Sequence, residues 1–351
     1  MAENSKIEWT HHTMNPWRGC QKVSPGCANC YAETMSKRNP GTLGIWGPEG
    51  TRVVASEAQW KLPHKWNREA EAAGERRRVF CASLADVFED WDGPMSDPQG
   101  QRLYWIDSNP IVMGSESTEP YEPEAGDWLV TMDDIRRRLF EVIDQTPWLD
   151  WLLLTKRPEN VLRMSSRWWE SLMSVPGNVW IGTSVENQEQ ADKRIPELLK
   201  VPAAVRFLSM EPLLGPVDLT NVEDSTREKI WVDCLGGVFS RFVKNNPDVP
   251  PCGITYEAVV NWVIVGGESG PSARPCDLEW IRSILDQCQG AGVPVFIKQI
   301  GAITVDSRFA ESDGTPAFIG GIKDKKGGDP SEWPKDLRVR ELPTTIVLTG
   351  D

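Results

Sequence analysis

The sequence predicts an α/β fold, namely a full or partial β/α barrel. Short runs of β-branched and aliphatic residues are each followed by a polar turn and a helix-like stretch, which is the pattern of repeated β-α units with parallel strands. The glycine fingerprint of a Rossmann sheet, G-x-G-x-x-G, is missing after the first predicted strand. The pattern therefore favours a barrel, in which the chemistry lies at the carboxyl ends of the strands.

The predicted units have well-marked strands and helices. The predicted strands are Ile7 to Thr10, Val79 to Ser83, Trp151 to Thr155, Val179 to Ser184, Val205 to Ser209, Trp262 to Gly266 and Val295 to Ile297. The predicted helices are Cys30 to Arg38, Met132 to Asp144, Glu159 to Glu170, Gln188 to Leu199 and Leu278 to Gly290. The last of these helices stops at glycines, as helices commonly do.

We expect one barrel domain over residues 1–300 and a C-terminal extension over residues 301–351 that packs on the barrel. Two stretches interrupt the repeated pattern. Residues 91–128 are rich in Pro, Ser, Glu and Asp, and residues 221–251 carry mixed charges with a Gly-Gly pair and a PDVPP segment. We interpret both as insertions at the barrel rim.

Composition and charge narrow the class of protein. Apolar residues make up 40% and charged residues 25% of the chain, as in soluble globular proteins. No apolar run approaches the ~20 residues that span a bilayer, so we expect a cytoplasmic protein without a membrane partner. The net charge of -13 argues against tight, sequence-independent binding to a phosphate backbone, although a local basic strip is compatible with it. With three histidines, histidine-based hydrolysis is disfavoured.

Three of the eight cysteines form a cluster, Cys20, Cys27 and Cys30, in a C-x6-C-x2-C loop between the first predicted strand and helix. Glycine and proline on both sides allow the backbone to wrap tightly around a bound inorganic core. Three thiolates can hold three irons of a cubane and leave the fourth iron open. The other cysteines are scattered, which does not suggest a disulfide framework. Because no fourth cysteine lies nearby, a zinc site completed by His11 or His12 is the alternative.

Polar residues follow the predicted strands at equivalent positions of successive units. The carboxyl ends of barrel strands open at one mouth, so such residues predict a polar ligand site there. In chain order they are Asp86, Glu89 and Asp90, then Thr155, Lys156 and Arg157, then Thr183, Ser184 and Glu186, then Ser209 and Glu211, then Gly266, Gly267 and Glu268, and finally Lys298 and Gln299.

Residues 15–33, NPWRGCQKVSPGCANCYAE, carry a family resemblance. The chain resembles the radical S-adenosylmethionine (SAM) superfamily in this loop, in the open fourth iron, in the β-α units and in the later Gly-Gly-Glu turn. The usual C-x3-C-x2-C motif of that superfamily is widened here to C-x6-C-x2-C. More closely, the string is similar to a phage and bacterial radical-SAM-like family that is distantly similar to spore photoproduct lyase. Some phage members of that family resemble enzymes of thymidine hypermodification, including 5-Cα-glycyl-thymidine synthase. The resemblance spans roughly residues 7–300 and is strongest in the first half.

The resemblance implies two cofactors, a [4Fe-4S] cluster on Cys20, Cys27 and Cys30, and SAM chelated to the open iron. It implies a 5′-deoxyadenosyl radical as the hydrogen-abstracting species. It also implies which residues contact SAM. The backbone around Tyr31 would neighbour the adenine, Thr183, Ser184 and Glu186 would face the ribose or carboxylate, and Gly266, Gly267 and Glu268 would line the opposite wall. A tight strand-to-helix turn explains the two glycines equally well.

The function implied is isomerisation of a glycine on thymine in DNA from a nitrogen linkage to an α-carbon linkage. DNA containing modified thymine is then the substrate, and flavodoxin or ferredoxin is the electron donor. Lys156, Glu211 and Lys298 are candidates for carboxylate contacts or proton handling, with salt bridges as the alternative. Two other functions stay open: a repair lyase of the spore photoproduct lyase type, and a zinc-stabilised nucleic-acid-binding module without catalysis.

Overall fold

The computed structural model of the chain describes residues 3–106, 109–111, 128–165, 176–224, 230–241, 254–255, 259–310 and 313–344. Parts of both expected insertions lie outside these ranges, as do residues 166–170 of one predicted helix. No helix in the described ranges combines the length and the apolar character needed to cross a bilayer.

The described residues form strands, α-helices and short 3₁₀ helices. The strands are β1 His12–Met14, β2 Trp17–Arg18, β3 Arg52–Val54, β4 Arg77–Cys81, β5 Met95–Ser96, β6 Tyr104–Ile106, β7 Asn109–Ile111, β8 Trp128–Leu129, β9 Leu149–Thr155, β10 Val179–Ser184, β11 Val205–Met210, β12 Val222–Glu223, β13 Ile230–Asp233, β14 Val238–Arg241, β15 Ile254–Thr255, β16 Trp262–Gly266, β17 Cys276–Asp277, β18 Val295–Gln299, β19 Thr304–Asp306 and β20 Ala317–Phe318. The α-helices are α1 Tyr31–Arg38, α2 Pro40–Leu43, α3 Glu57–Trp60, α4 Leu62–Ala73, α5 Met132–Asp144, α6 Val161–Ser165, α7 Gln188–Leu199 and α8 Leu278–Ala291. Short 3₁₀ helices cover Pro25–Cys27, Pro158–Asn160, Ser307–Phe309, Pro330–Glu332 and Lys335–Leu337.

The principal sheet has seven strands in the order β1-β4-β9-β10-β11-β16-β18. Its strands run parallel, with β4 between β1 and β9 and with β16 between β11 and β18. Four smaller sheets of three or four strands accompany it in the described residues. The fold is thus mixed α/β, with a parallel sheet compatible with the expected partial β/α barrel.

By its contacts, the chain divides into two compact units. The first comprises residues 1–23, 30–154 and 160–179, and the second comprises residues 24–29, 155–159 and 180–351. The cysteine loop contributes to both, because residues 24–29 belong to the second unit and the stretches on either side belong to the first. Each unit is described separately below.

The core of the second unit is packed around aromatic rings on adjacent strands. The rings of Trp180 on β10 and Trp262 on β16 meet edge to face, with centroids 6.2 Å apart. Phe207 on β11 packs beside Trp262 at 5.9 Å. A β-carbon at Gly182 would lie 2.4 Å from the Phe207 ring, so the packing requires glycine there. Such close packing fixes the strands whose carboxyl ends carry the predicted site.

Helix boundaries follow from capping side chains. Thr131 accepts a hydrogen bond from the Asp134 N–H in a capping box and so begins α5. Asn187 begins α7 in the same manner by accepting from the Gln190 N–H. Gly292, in a left-handed conformation, ends α8. The bounds predicted for α5 and α7 are confirmed, and those of α8 differ by one residue.

The first strand was wrongly predicted at Ile7 to Thr10. The strand that pairs with β4 is His12–Met14, whose three residues lie opposite Val79, Phe80 and Cys81. Ile7 instead belongs to a turn that is closed by a hydrogen bond from the Thr10 N–H to the Ile7 carbonyl. The position of this run before the cysteine loop indicated a strand here, but pairing with β4 decides which residues form it.

The C-terminal extension is held to β18 by backbone hydrogen bonds within the second unit. The Ile297 N–H donates to the Val339 carbonyl at 2.9 Å, and the Glu341 N–H donates to the Val295 carbonyl at 2.8 Å. The Trp262 indole also donates to the Glu341 carbonyl. Residues 339–341 therefore lie along the edge of the principal sheet.

His12 on β1 couples the stability of the first unit to pH. Its ring is buried and stacks on Trp66 with the centroids 4.3 Å apart. Neither ring nitrogen finds a hydrogen-bond partner within the part of the chain that the structure describes. Burial, with the nearby charge of Arg77, lowers the pKa of His12 from 6.5 to about 4. The folded protein therefore keeps this ring neutral.

Between pH 6.5 and about 4 the unfolded chain binds a proton at His12 that the folded chain does not bind. The free energy of unfolding should therefore fall by about 3 kcal/mol as the pH drops through this window. His12→Phe should remove that part of the pH dependence and keep the stacking. Urea unfolding at a series of pH values measures it, with His64→Phe as the control. An unchanged slope in His12→Phe would show that His12 is not the responsible group.

Candidate functional site

Cysteines 20, 27 and 30 differ from the other described cysteines in their exposure. The three loop thiols are half-buried, whereas those of Cys81, Cys234, Cys276 and Cys288 are buried. Burial raises the pKa of Cys276 and of Cys288 to about 12 and that of Cys81 still further. The loop cysteines are therefore the accessible thiols of the described chain, as a reactive or metal-binding role requires.

The cysteine loop supplies the type of donor atom that a thiolate-bound metal needs. Three accessible cysteines within eleven residues supply the soft ligands that iron-sulfur clusters and zinc prefer. In geometry, no three His, Cys, Asp or Glu side chains of the described residues are grouped so as to hold a metal ion.

The zinc alternative relied on His11 or His12 as a fourth ligand. In the first unit, the His11 Nδ1 accepts a hydrogen bond from the Arg78 N–H at 2.8 Å. His12 is stacked on Trp66 in the core. These contacts occupy one nitrogen of His11 and bury the ring of His12.

A buried ion pair lies next to Cys20 in the first unit. Arg52 on β3 binds Glu89 through two parallel hydrogen bonds, Nε to Oε2 at 2.8 Å and Nη2 to Oε1 at 2.9 Å. Both side chains are fully buried. Glu89 Oε1 also accepts the N–H of Gln21, the residue after Cys20, at 3.0 Å. The carboxylate thus fixes the backbone beside the first cysteine.

Glu186, after β10, holds the middle of the cysteine loop in the second unit. Its Oε1 accepts hydrogen bonds from the Ser24 hydroxyl and, at 3.0 Å, from the Gly26 N–H. Its Oε2 accepts from Arg194 on α7 at 2.8 Å. Burial acts to raise the pKa of Glu186, but Arg194, Lys156 and the two loop donors outweigh it and lower that pKa. The carboxylate is therefore ionised and committed to the loop before Cys27.

Glu268, after β16, has a matching role at the end of the same segment. Its Oε2 accepts from the Asn29 amide at 3.1 Å, and Asn29 directly precedes Cys30. Arg274 binds both carboxylate oxygens, at 2.8 and 2.7 Å, and also donates to the Pro25 carbonyl at 3.0 Å. Burial acts to raise the pKa of Glu268, but the bonds from Arg274 and Asn29 lower it overall. Glu186 and Glu268, predicted as SAM contacts, thus contact the cysteine loop.

Two other predicted residues of β10 make contacts with the segment after β9. The Ser184 hydroxyl lies 2.9 Å from the Lys156 ammonium, which donates to it. The buried Thr183 hydroxyl donates to the Thr155 carbonyl at 2.9 Å. The structure thus brings Lys156 and Ser184 together, while the Thr183 hydroxyl stabilises the backbone of the adjoining strand.

Glu211, after β11, and Lys298 on β18 form a second pair. The Lys298 Nζ donates to Glu211 Oε1 at 2.6 Å, and each side chain keeps about a quarter of its surface exposed. A partly exposed pair of this kind contributes modestly to stability and stays accessible to a ligand. Both residues were predicted as candidate catalytic residues, and the salt-bridge alternative describes their contact in the structure.

Gly266 and Gly267 allow a close approach of backbone. A β-carbon at Gly267 would lie 2.6 Å from the Ile300 carbonyl oxygen, and one at Gly266 would lie 3.3 Å from Gln299 Cγ. The Gly267 N–H donates to the Gln299 carbonyl, and the Gln299 amide donates to the Gly267 carbonyl. The space beside these glycines is therefore filled by the last residue of β18 and the residues that follow it.

Tyr31 begins α1 in the first unit, and its ring is exposed. Its hydroxyl donates to the Ser83 carbonyl at 2.7 Å, in the segment after β4. Asn15 fixes the same segment, because its amide oxygen accepts from the Leu84 N–H at 2.7 Å. Tyr31 therefore contacts the segment that follows β4.

Sequence reasoning missed the arginines that hold the carboxylates. Arg194 lies eight residues after Glu186 and faces back to it from α7, while Arg274 follows Glu268 by six residues. Arg52 precedes Glu89 by 37 residues and belongs to another sheet. A search for charge pairs across a strand-to-helix turn could have found the first two. No local pattern indicates the third.

Comparison with known proteins gives one match. The family model described as "Protein of unknown function (DUF5131)" matches residues 4–92 and 111–328, which is most of the chain. The matched region contains the cysteine loop and the strand-end residues described above. No curated protein and no solved structure matches this chain significantly.

Proposed function

This chain belongs to the DUF5131 family, and we propose that it is a radical SAM enzyme acting on modified thymine in DNA. The observation that carries the proposal is the C-x6-C-x2-C loop, whose thiols are half-exposed while the other described cysteines are buried. The parallel sheet supports it, since this loop and the polar strand-end residues belong to one series of β-α units. In this proposal the sheet is a partial barrel of the radical SAM type.

Cys20, Cys27 and Cys30 would hold a [4Fe-4S] cluster, which when bound supplies one electron for the reductive cleavage of SAM. A small donor protein such as flavodoxin or ferredoxin would deliver that electron. The chain itself must hold the loop still and present the substrate. Glu186 and Glu268, which bind the loop backbone and side chains, serve the first requirement.

The proposed substrate is a glycine attached through nitrogen to the methyl carbon of thymine. Isomerisation breaks this carbon-nitrogen bond and joins the same methyl carbon to the glycyl α-carbon. One hydrogen leaves the α-carbon and one is gained by nitrogen, so the reaction is redox-neutral. A radical at the α-carbon is stabilised by both the amino and the carboxylate substituent, which makes that hydrogen a sensible target.

The glycyl carboxylate needs a cation, and the candidates are cations of the second unit at the ends of strands in the principal sheet. Lys156 and Arg157 follow β9, and Lys298 lies on β18. Lys298 is partly exposed and paired with a partly exposed Glu211, so a substrate carboxylate can compete for its ammonium. The net charge of -13 means that DNA must be held by such local cations. The base itself would be flipped out of the helix to reach them.

Anaerobic incubation with SAM, reductant and DNA containing α-deuterated N-linked glycyl-thymidine tests the proposal. We expect deuterium in 5′-deoxyadenosine and a new nucleoside of unchanged mass apart from the label. Lys298→Met should lower turnover by about tenfold or more while SAM cleavage without DNA persists. Lys200→Met, which removes an ion pair with Glu197 on α7, serves as the matched control. Cleavage of SAM with the label untouched and the DNA unchanged would remove the proposed substrate.

A further inference from the structure

Each of the three loop cysteines has a carboxylate-arginine pair bonded to a neighbouring residue in the chain. Glu89 with Arg52 binds Gln21 after Cys20. The second and third pairs hold the residues before Cys27 and Cys30: Glu186 with Arg194 binds Gly26, and Glu268 with Arg274 binds Asn29.

The three pairs share one construction. In each, a buried glutamate that follows a strand of the principal sheet accepts a hydrogen bond from the loop. An arginine then compensates the charge, because a carboxylate buried without a partner would be strongly unfavourable. Hydrogen bonds to an ionised acceptor are about twice as strong as neutral ones, so each bond holds its part of the loop firmly.

We propose that Glu89, Glu186 and Glu268 are positioning residues, each of which sets the exposure and orientation of the adjacent cysteine thiol. Ion pairs that merely stabilise the fold would have no reason to recur beside each cysteine of the loop. A pair of the same chemistry exists elsewhere in the second unit: the buried Asp306 binds Arg282 at 3.1 Å and Arg308 at 2.9 Å. It lies on β19, and its side chain binds these two arginines, which lie outside the loop, so it suits as a control.

The proposal rests on the proposed function only in taking the loop to be the metal-binding element. Its test uses metal-free protein and so does not depend on cluster assembly. Iodoacetamide labels accessible thiols, and peptide mass spectrometry gives a labelling rate for each cysteine. Losing one charge-assisted bond should increase local opening and raise the rate at the adjacent thiol by about tenfold.

Glu186→Gln should accelerate labelling of Cys27, and Glu268→Gln should accelerate that of Cys30, with the other loop cysteines within about twofold of their parent rates. Asp306→Asn should leave all three rates unchanged. Two milder variants avoid disturbing buried charges: Ser24→Ala should act at Cys27 and Asn29→Ala at Cys30. Thermal melts identify any variant that has unfolded.

A rate increase confined to the neighbouring cysteine supports the proposal. Unchanged rates in all four variants, or an even rise at all three cysteines, overturn it. Failure of the proposed function has a different signature, because the parent protein would then bind no iron whatever the labelling pattern.

Discussion

Replacing Arg52 by Met is expected to lower the free energy of unfolding by about 3–5 kcal/mol. The substitution leaves the fully buried Glu89 carboxylate without its two hydrogen bonds from the guanidinium. It also removes the guanidinium from the face of the Trp91 ring, 4.7 Å from its centroid. Chemical denaturation with two spectroscopic probes measures the change.

Lys65→Met is the matched control for Arg52→Met. Lys65 pairs with Glu3 at 2.7 Å, but nearly half of its side chain is exposed, so the loss of stability should be far smaller than in Arg52→Met. The double variant Arg52→Met with Glu89→Leu should recover much of the stability, because it removes the stranded charge. Equal losses in Arg52→Met and Lys65→Met would refute this account of the buried pair.

Alanine at Cys20, Cys27 or Cys30 is expected to abolish iron binding. A cubane held by three thiolates already has one iron without a cysteine ligand. Removing one of the three thiolates leaves a second iron without one, and two thiolates are too few to retain the cluster. Cys234→Ala and Cys288→Ala should retain the parent iron content, since both thiols are buried in the core of the second unit. Iron retained by all three loop variants would mean that the metal is bound elsewhere.

The sequence allowed prediction of those elements whose ends carry local signals. β10 and β16 agree with their predicted bounds because each is a short buried apolar run that ends at glycine or a hydroxyl residue. The bounds of α5 and α7 were predictable because Thr131 and Asn187 cap them. The prediction of Ile7 to Thr10 failed because the place of a short run in the chain does not show which residues pair with a neighbouring strand.

For the candidate site, too, local features could be predicted and long-range contacts could not. The cysteine loop and the carboxylates at strand ends are visible as motifs and positions in the sequence. Their contacts are not visible, because Gly26 and Glu186 are 160 residues apart and Asn29 and Glu268 are 239 apart. Tertiary folding alone brings such residues together. The sequence thus placed these glutamates after predicted strands and left their relation to the loop undetermined.

Iron and acid-labile sulfide in anaerobically reconstituted protein test the central claim most directly. The account predicts about four iron and four sulfide per chain, as one cubane requires, with visible absorbance that bleaches on adding dithionite. One zinc per chain without labile sulfide would contradict it and favour the zinc-stabilised module.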